Sequence, residues 1–313
     1  MTRIFYATDL HGSERCWKKF IRVPEFHRVD VMVLGGDITG KMVVPIIHHR
    51  NGKITYSLFG RVNRVKPNEV DRITAKILDY AYYPYECDVE EVEELLKNQE
   101  KRDSLFTKVM REGLSRWLKM AGERKRKEVP IYVSTGNDDT PAINDILESS
   151  SAITYSDDKC VKIDDIHEML SCSYSNPSPW KSPKELPEDK LQQKLENLVM
   201  KASGAKCLIC NFHPPPYDSG LDTAPELDEQ LRQVATPTGQ KMIPVGSKAV
   251  RNVIEKHQPL LGLHGHIHEA SGDRIIGRTL CVNPGSEYGE GYLRGYIIEL
   301  GADKVLNHYR IYG

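Results

Sequence analysis

Residues 3–12, RIFYATDLHG, set an apolar, strand-forming run directly before an acidic residue and an imidazole two positions apart, Asp9 and His11. The arrangement recurs along the chain. Asp30–Gly36 (DVMVLGG) leads into Asp37, and Ile131–Gly136 (IYVSTG) leads into Asn137. Lys206–Phe212 (KCLICNF) leads into His213, and Pro259–Gly265 (PLLGLHG) into His266 and His268. Short runs of this kind, closed by Gly or a polar residue, read as buried strands. In α/β folds, sites gather outside the carboxyl ends of strands. Five strand ends would thus deliver two aspartates, one amide and four imidazoles to one rim. That donor set is too rich in nitrogen for calcium or magnesium alone and suits manganese, iron, zinc or cobalt.

Local geometry supports the grouping. Residues two apart on an extended backbone point the same way, so Asp9 and His11 can approach one ion together, as can His266 and His268. Gly36, Gly136 and Gly265 let the backbone turn sharply beside each ligand. A lone Asp-x-His or His-x-His pair means little; the ordered set is what points to a metal centre.

Composition narrows the partners. The 313 residues suffice for one large domain or two. Lys plus Arg number 43 and Asp plus Glu 44, so no global positive charge draws the chain to nucleic acid or to a lipid surface. No apolar stretch approaches the roughly 20 residues that a membrane helix needs. No charged segment followed by a long apolar one suggests a signal peptide. Seven cysteines at irregular spacings, several in apolar runs, fit reduced buried thiols and a cytoplasmic location.

Strand-like runs alternate with helical patterns, which argues for an α/β class. Ser13 caps a helix over Ser13–Phe20. In the long gap between Asp37 and Asn137, Val43–Arg50 and Lys53–Phe59 flank Asn51-Gly52, a hairpin signal. Asn68 is placed to cap a helix through Tyr80, and the Tyr-rich Tyr80–Tyr85 follows with Pro84 as a breaker. Asp88, with Glu91 three residues on, opens a helix to about Gly122. Its stripe of Val92, Leu95, Leu96, Phe106, Val109, Met110, Leu114, Trp117 and Leu118 reads as core or dimer packing. Ser173–Asp189 reads as a surface loop before a helix to about Lys201, and Pro214–Thr223 as another loop. Gly291–Leu300 and Asp303–Tyr312 read as two strands turning at Gly301.

The ordered set resembles the calcineurin-like metallophosphoesterase superfamily, whose pattern is D-x-H, G-D, G-N-H-D/E, H and G-H-x-H. The matches are TDLHG at 8–12, GGD at 35–37, GNDD at 136–139, His213 and GHIH at 265–268. The NPGS at 283–286 and HPPP at 213–216 are similar to small members of a poorly characterised bacterial and archaeal branch. The resemblance implies an α/β fold, a four-layer αββα sandwich of two mixed sheets. The chain would be a single domain, 1–313, with a largely helical insertion at about 42–125 that is also a candidate homodimer surface. Asp9, His11 and His268 would hold one divalent transition metal, and Asn137, His213 and His266 a second, with Asp37 between them. Manganese is the first choice, with iron, zinc, cobalt or nickel as alternatives. The implied activity is hydrolysis of phosphomono- or phosphodiesters, of small molecules or nucleotides, by attack of a dimetal-bridging hydroxide.

One position departs from the family. Where the pattern has His, at the substrate phosphate, this chain has Asp138. An ionised carboxylate would repel the phosphate; a protonated one, raised by burial or by Asp139, would donate to it, although two nearby cations favour the ionised form. Asp138, Asp139 and His264 are the candidate catalytic residues, His264 as a group that orients ligands. His48 and His49 on the hairpin are either substitutes for the missing imidazole or an exposed pair. Asp138 also motivates a reading from another class, a metal-loaded nucleotide-binding or regulatory protein with little turnover. Gly35–Lys41 (GGDITGK) fits part of a P-loop, but Met42 replaces the required hydroxyl residue and no helix pattern follows. Lys41 remains a candidate phosphate contact. Cys207 and Cys210 form a lone C-x-x-C and read as core thiols. Arg124–Lys127 (RKRK) reads as a solvated helix end.

Overall fold

The structure, a computed structural model, describes residues 1–202, 207–237 and 239–313. In chain order the first strands are β1 (Thr2–Ala7), β2 (Val31–Gly35), β3 (Val43–His48), β4 (Ile54–Leu58), β5 (Arg61–Val65) and β6 (Tyr83–Asp88). Next come β7 (Ile131–Ser134), β8 (Thr154–Tyr155), β9 (Cys160–Lys162), β10 (Glu168–Cys172) and β11 (Leu208–Phe212). Two short ribbons follow: β12 (Thr223–Pro225) pairs with β15 (Met242–Pro244), and β13 (Ala235–Thr236) with β14 (Gly239–Gln240). The last are β16 (Leu261–Leu263), β17 (Gly272–Ile276), β18 (Thr279–Asn283), β19 (Arg294–Leu300) and β20 (Val305–Tyr312). The helices are α1 (Glu14–Phe20), α2 (Val23–Phe26), α3 (Val70–Asp79), α4 (Val89–Lys97), α5 (Gln99–Glu123), α6 (Asn144–Ser149), α7 (Glu188–Val199) and α8 (Lys248–His257).

Two six-stranded mixed sheets form the body, ordered β20-β19-β1-β2-β7-β8 and β17-β18-β16-β11-β10-β9. All five strands expected to lead into ligands are present; Lys206, which opens one of the runs, lies outside the described residues. β1, β2 and β7 run parallel in the first sheet, and β10, β11, β16 and β18 in the second. Parallel strands put their carboxyl ends at the same edge, so each sheet gathers its ligands on one rim.

Side-chain alternation builds separate cores from single strands. Ile4, Tyr6, Val31 and Val33 pack with Ile209, Leu261, Leu263, Leu280 and Val282 of the other sheet. The intervening Phe5, Ala7, Met32 and Leu34 pack with Trp17 and Phe20 of α1 and with α5. On the far face of the second sheet, Leu208, Cys210 and Phe212 meet Leu191, Leu195, Val250 and Ile254 of α7 and α8. Trp17 stacks on Trp117 with ring centroids 4.9 Å apart at 5°.

The stretch between the second and third ligand strands carries α3, α4 and α5, as the expectation of a largely helical insertion has it, and adds more sheet than the one expected hairpin. It contains a four-stranded sheet, β5-β4-β3-β6, with its own core of Val44, Ile46, Ile54, Tyr56, Ile73 and Ile77. The Asn51-Gly52 hairpin is present as β3–β4. Pro84 does not end a segment: it lies in β6, an edge strand, where a missing N–H is tolerated. Asn68 sits inside a 3-10 turn, Pro67–Glu69, and does not cap α3. The helix after Asp88 is broken at Asn98, whose side chain accepts from Lys101 N and starts α5. The apolar stripe of α5, from Val109 to Leu118, packs into the main core, whereas Leu96 of α4 is exposed.

Two further expectations are corrected. The 173–189 segment is more than surface: Ser173, Ser175 and Lys184 are buried. Arg124 is not a solvated helix end; it is buried and donates to Ala121 O and Val129 O, tying off α5. The seven cysteines are free thiols, and Cys207 donates to Ala302 O. Among the described residues, no helix is long and apolar enough to cross a membrane.

Candidate metal centre

The loops that leave β1 and β2 keep pairing after the strands end. Asp9 N donates to Gly36 O, His11 N to Asp37 O and Gly12 N to Ile38 O, at 2.8–3.0 Å. Within these loops Asp9, His11 and Asp37 have φ of 54°, 42° and 46°, and His266 after β16 has 66°. A left-handed backbone costs a non-glycine residue on the order of 1–3 kcal/mol, and such residues cluster at functional sites. Four of the seven candidate ligands share this conformation.

The side chains converge. Asp9, His11 and His268 place their ligand atoms within 4.8 Å of one another, and so do Asp37, His213 and His266. His11 Nε2 lies 3.1 Å from His268 Nε2, and His268 Nε2 lies 3.5 Å from Asp9 Oδ1. Asp37 Oδ2 stands 3.6 Å from His11 Nε2 and 3.3 Å from His213 Nε2, so a single carboxylate faces both groups. Asn137 follows β7. Its Oδ1 is buried without a hydrogen-bond partner, as is His213 Nε2. Buried acceptors are normally satisfied, so Asn137 Oδ1 marks a place for a cation, and His213 Nε2, 3.3 Å from Asp37 Oδ2, faces the carboxylate of the same cluster.

The surroundings orient this set. His213 Nδ1 faces Gly35 O at 3.2 Å, which leaves Nε2 for the cluster. The Asn283 amide donates to Leu221 O and Ile267 O, bracing the loop that holds His266 and His268. Ser286 Oγ donates to Asp9 O at 2.7 Å. His266 N donates to both Asp9 oxygens.

The three candidate catalytic residues divide. Asp139 is fully buried; its oxygens accept from Ile38 N, Thr39 N, Thr39 Oγ1 and Gly136 N. These bonds lock the Asp37 and Asn137 loops together and turn the carboxylate away from a substrate. His264 Nδ1 bonds Phe212 O at 2.8 Å, tying β16 to the strand end before His213. Asp138 alone stands beside the cluster, with an oxygen within 4.8 Å of the ligand atoms of His11 and Asp37. It accepts from Ser182 Oγ at 2.5 Å and Asn137 Nδ2 at 3.1 Å, and Lys41 Nζ lies 2.5 Å from its other oxygen. His48 and His49 bond Glu86 and Thr55 on the smaller sheet. Tyr288, which sequence reasoning missed, lays its ring 4.6 Å from that of His11. No motif flags it; only its place two residues after Ser286 hints at it.

Charge follows from burial and neighbours. Burial alone would raise Asp9, but its hydrogen bond to His268 and the charge of His213 hold it at about 2. Burial would lower His213, yet Asp37 and then Asp9 raise it to about 10. Burial dominates at His11 and His266 and lowers them to about 3 and about 4. Asp139 is pushed up to about 6 by burial and by Asp37. The cluster thus pairs ionised carboxylates with imidazoles, a donor set that fits divalent transition metals.

No protein-family model matches the chain. The uncharacterized protein MJ1162 of Methanocaldococcus jannaschii is 33% identical over 151 residues, 48% of this chain and 61% of that protein. This chain therefore matches about three fifths of the length of that relative. A solved crystal structure superposes with a TM-score of 0.56 at 16% identity, covering 99% of this chain and 98% of its own. The crystal structure of TT1561 of Thermus thermophilus gives a TM-score of 0.49 at 15% identity, covering 100% and 98%. At 16% identity the likeness to the first of these is one of fold. The chain resembles the calcineurin-like metallophosphoesterase superfamily in its ordered motifs.

Proposed function

We propose that this chain is a metal-dependent phosphoesterase acting on phosphomono- or phosphodiesters of small molecules or nucleotides. The observation that supports it most is the convergence of two adjacent ligand groups, Asp9–His11–His268 and Asp37–His213–His266, with Asp37 Oδ2 3.6 Å from His11 Nε2 and 3.3 Å from His213 Nε2. Asp9, His11 and His268 would hold one ion, and His213, His266 and Asn137 the other, with manganese the first candidate. A pair of divalent ions supplies neutralisation of phosphate charge and a nucleophile at neutral pH. The chain's own groups set the geometry: Asp37 faces both positions, Asp139 locks its loop, and Asn283 and Ser286 fix the His266–His268 and Asp9 backbones. The three cores of the two-sheet body favour the four-layer αββα reading within one domain. Free thiols suit the cytoplasm. Exposed Phe59 and Val62 on the β4–β5 hairpin are the candidate homodimer contact.

The test is hydrolysis of bis-p-nitrophenyl phosphate and a phosphoester panel, with manganese, iron, zinc, cobalt or nickel added. Turnover that disappears with a chelator supports the proposal. No turnover with any ester and any metal would replace it with the alternative, a metal-loaded binding or regulatory protein. That alternative draws on Asp138 in place of the usual His, whose carboxylate here has Lys41 Nζ 2.5 Å away.

A further inference from the structure

We propose that Lys41 clamps the substrate phosphate directly and that Asp138 positions it; this rests on the phosphoesterase reading. The anchor is rigid at both ends. Gly40 N donates to Tyr83 OH at 2.8 Å, and a Cβ on Gly40 would meet Ala81 O at 2.8 Å, so the backbone before Lys41 is held tightly. At the other end Asp138 is fixed by Ser182 Oγ and Asn137 Nδ2, and its N donates to Asp37 Oδ1 at 3.0 Å. The ammonium is therefore suspended beside the His11–Asp37 ligand group.

It is also only partly used. A lysine ammonium has three donors. Among the described residues, Asp138 is its one recorded acceptor, and about half of the Lys41 side chain remains exposed, 49%. An anion held at the ligand groups would find there a charged donor that Asp138 has already fixed in position. The pair also answers the carboxylate's handicap: Asp138 does not confront the phosphate as a bare negative charge. An imidazole at this position would unite cation and donor in one ring; here two residues from different loops divide the task.

A simpler possibility is that Lys41 only masks Asp138. The two are separated by binding inorganic phosphate to the manganese-loaded full chain, measured by calorimetry, with manganese content determined in parallel. Lys41→Met should raise the Kd for phosphate by about 10- to 100-fold, the loss of a charge-assisted hydrogen bond, at unchanged metal content. Lys41→Arg should keep most of the affinity. The deciding arm is the Asp138→Asn background. There Lys41→Met should still weaken binding about tenfold. An effect of Lys41→Met that vanishes once Asp138 is neutral would show masking and overturn the proposal. So would equal phosphate affinity with and without Lys41. Failure of the underlying reading looks different: the natural protein itself would neither bind phosphate nor hydrolyse an ester.

Discussion

Lys184 and Asp157 form a buried ion pair, Nζ to Oδ2 3.5 Å, with 4% and 7% of their side chains exposed. Lys184 Nζ also donates to Thr135 Oγ1 and Ser173 Oγ, and Asp157 accepts from Ser173 N and Oγ. Lys184 N donates to Asn137 O at 3.1 Å. The pair therefore braces the turn that presents Asn137 and Asp138 from behind. Removing one partner of such a pair costs about 3–5 kcal/mol, because the other charge stays buried. Lys184→Met should cost about that much in urea unfolding and lower the occupancy of the second metal. Adding Asp157→Asn should recover part of the stability; a double variant as unstable as the single one would show that the charge is not the cause.

Asp37 faces both ligand groups, so its loss should be felt at both. Elemental analysis after manganese loading should approach about two ions per natural chain, the stoichiometry of a two-metal site. Asp37→Ala should retain well under half of that. Full retention would remove the two-ion assignment.

Metal uptake should expel a proton. In the metal-free chain burial opposes the His213 imidazolium, but Asp37 and Asp9 prevail and hold it at about 10. A metal needs the neutral ring. Because the pKa is raised, the competing proton is present at every pH below about 10 and gone above it. Affinity should rise about tenfold per pH unit through neutrality and level off near that value. Calorimetry in two buffers of different ionisation heat at pH 7.5 should show release of about one proton or more. A heat independent of buffer would mean that His213 is already neutral.

Close approach matters as much as ligand identity. A Cβ on Gly136 would stand 2.1 Å from Asp37 Oδ1 and 2.4 Å from Asp37 N. One of these is backbone, so it cannot swing aside. Gly136→Ala should destabilise the chain by about 1–3 kcal/mol, the usual cost of overpacking, and reduce manganese content although every ligand remains. Unchanged metal content would show that the Asp37 loop is more yielding than its Asp139 bonds suggest.

The sequence exposed the parts of this protein that repeat a simple physical signal. The five ligand strands were legible because each is a short apolar run closed by a turn, and the hairpin at Asn51-Gly52 because that dipeptide favours one turn type. The smaller sheet was not, since β5 (RVNRV) is mostly polar and β6 contains Pro84. The helix break at Asn98 was hidden because the apolar spacing carries on past it. Within the site the residues that converge could be read, but the contacts of their neighbours could not. Lys41 and Asp138 lie nearly a hundred positions apart, and Asp139 differs from Asp138 only in which way a turn points it. Such relations are set by tertiary packing, which no local pattern encodes.

The candidate ligands come from both sheets. Asp9, His11, Asp37 and Asn137 follow strands of the first, whereas His213, His266 and His268 follow strands of the second. Each proposed ion position draws on both, so neither sheet alone would supply a complete one. A nascent chain that has made only β1, β2 and β7 has no finished position to offer, and capture of an ion would wait for β11 and β16, with β19 and β20 completing the first sheet last. Once there, an ion would act as a rivet across the join, and separating the sheets would require giving it up. The apparent strength of that join would then follow the free metal concentration around the protein.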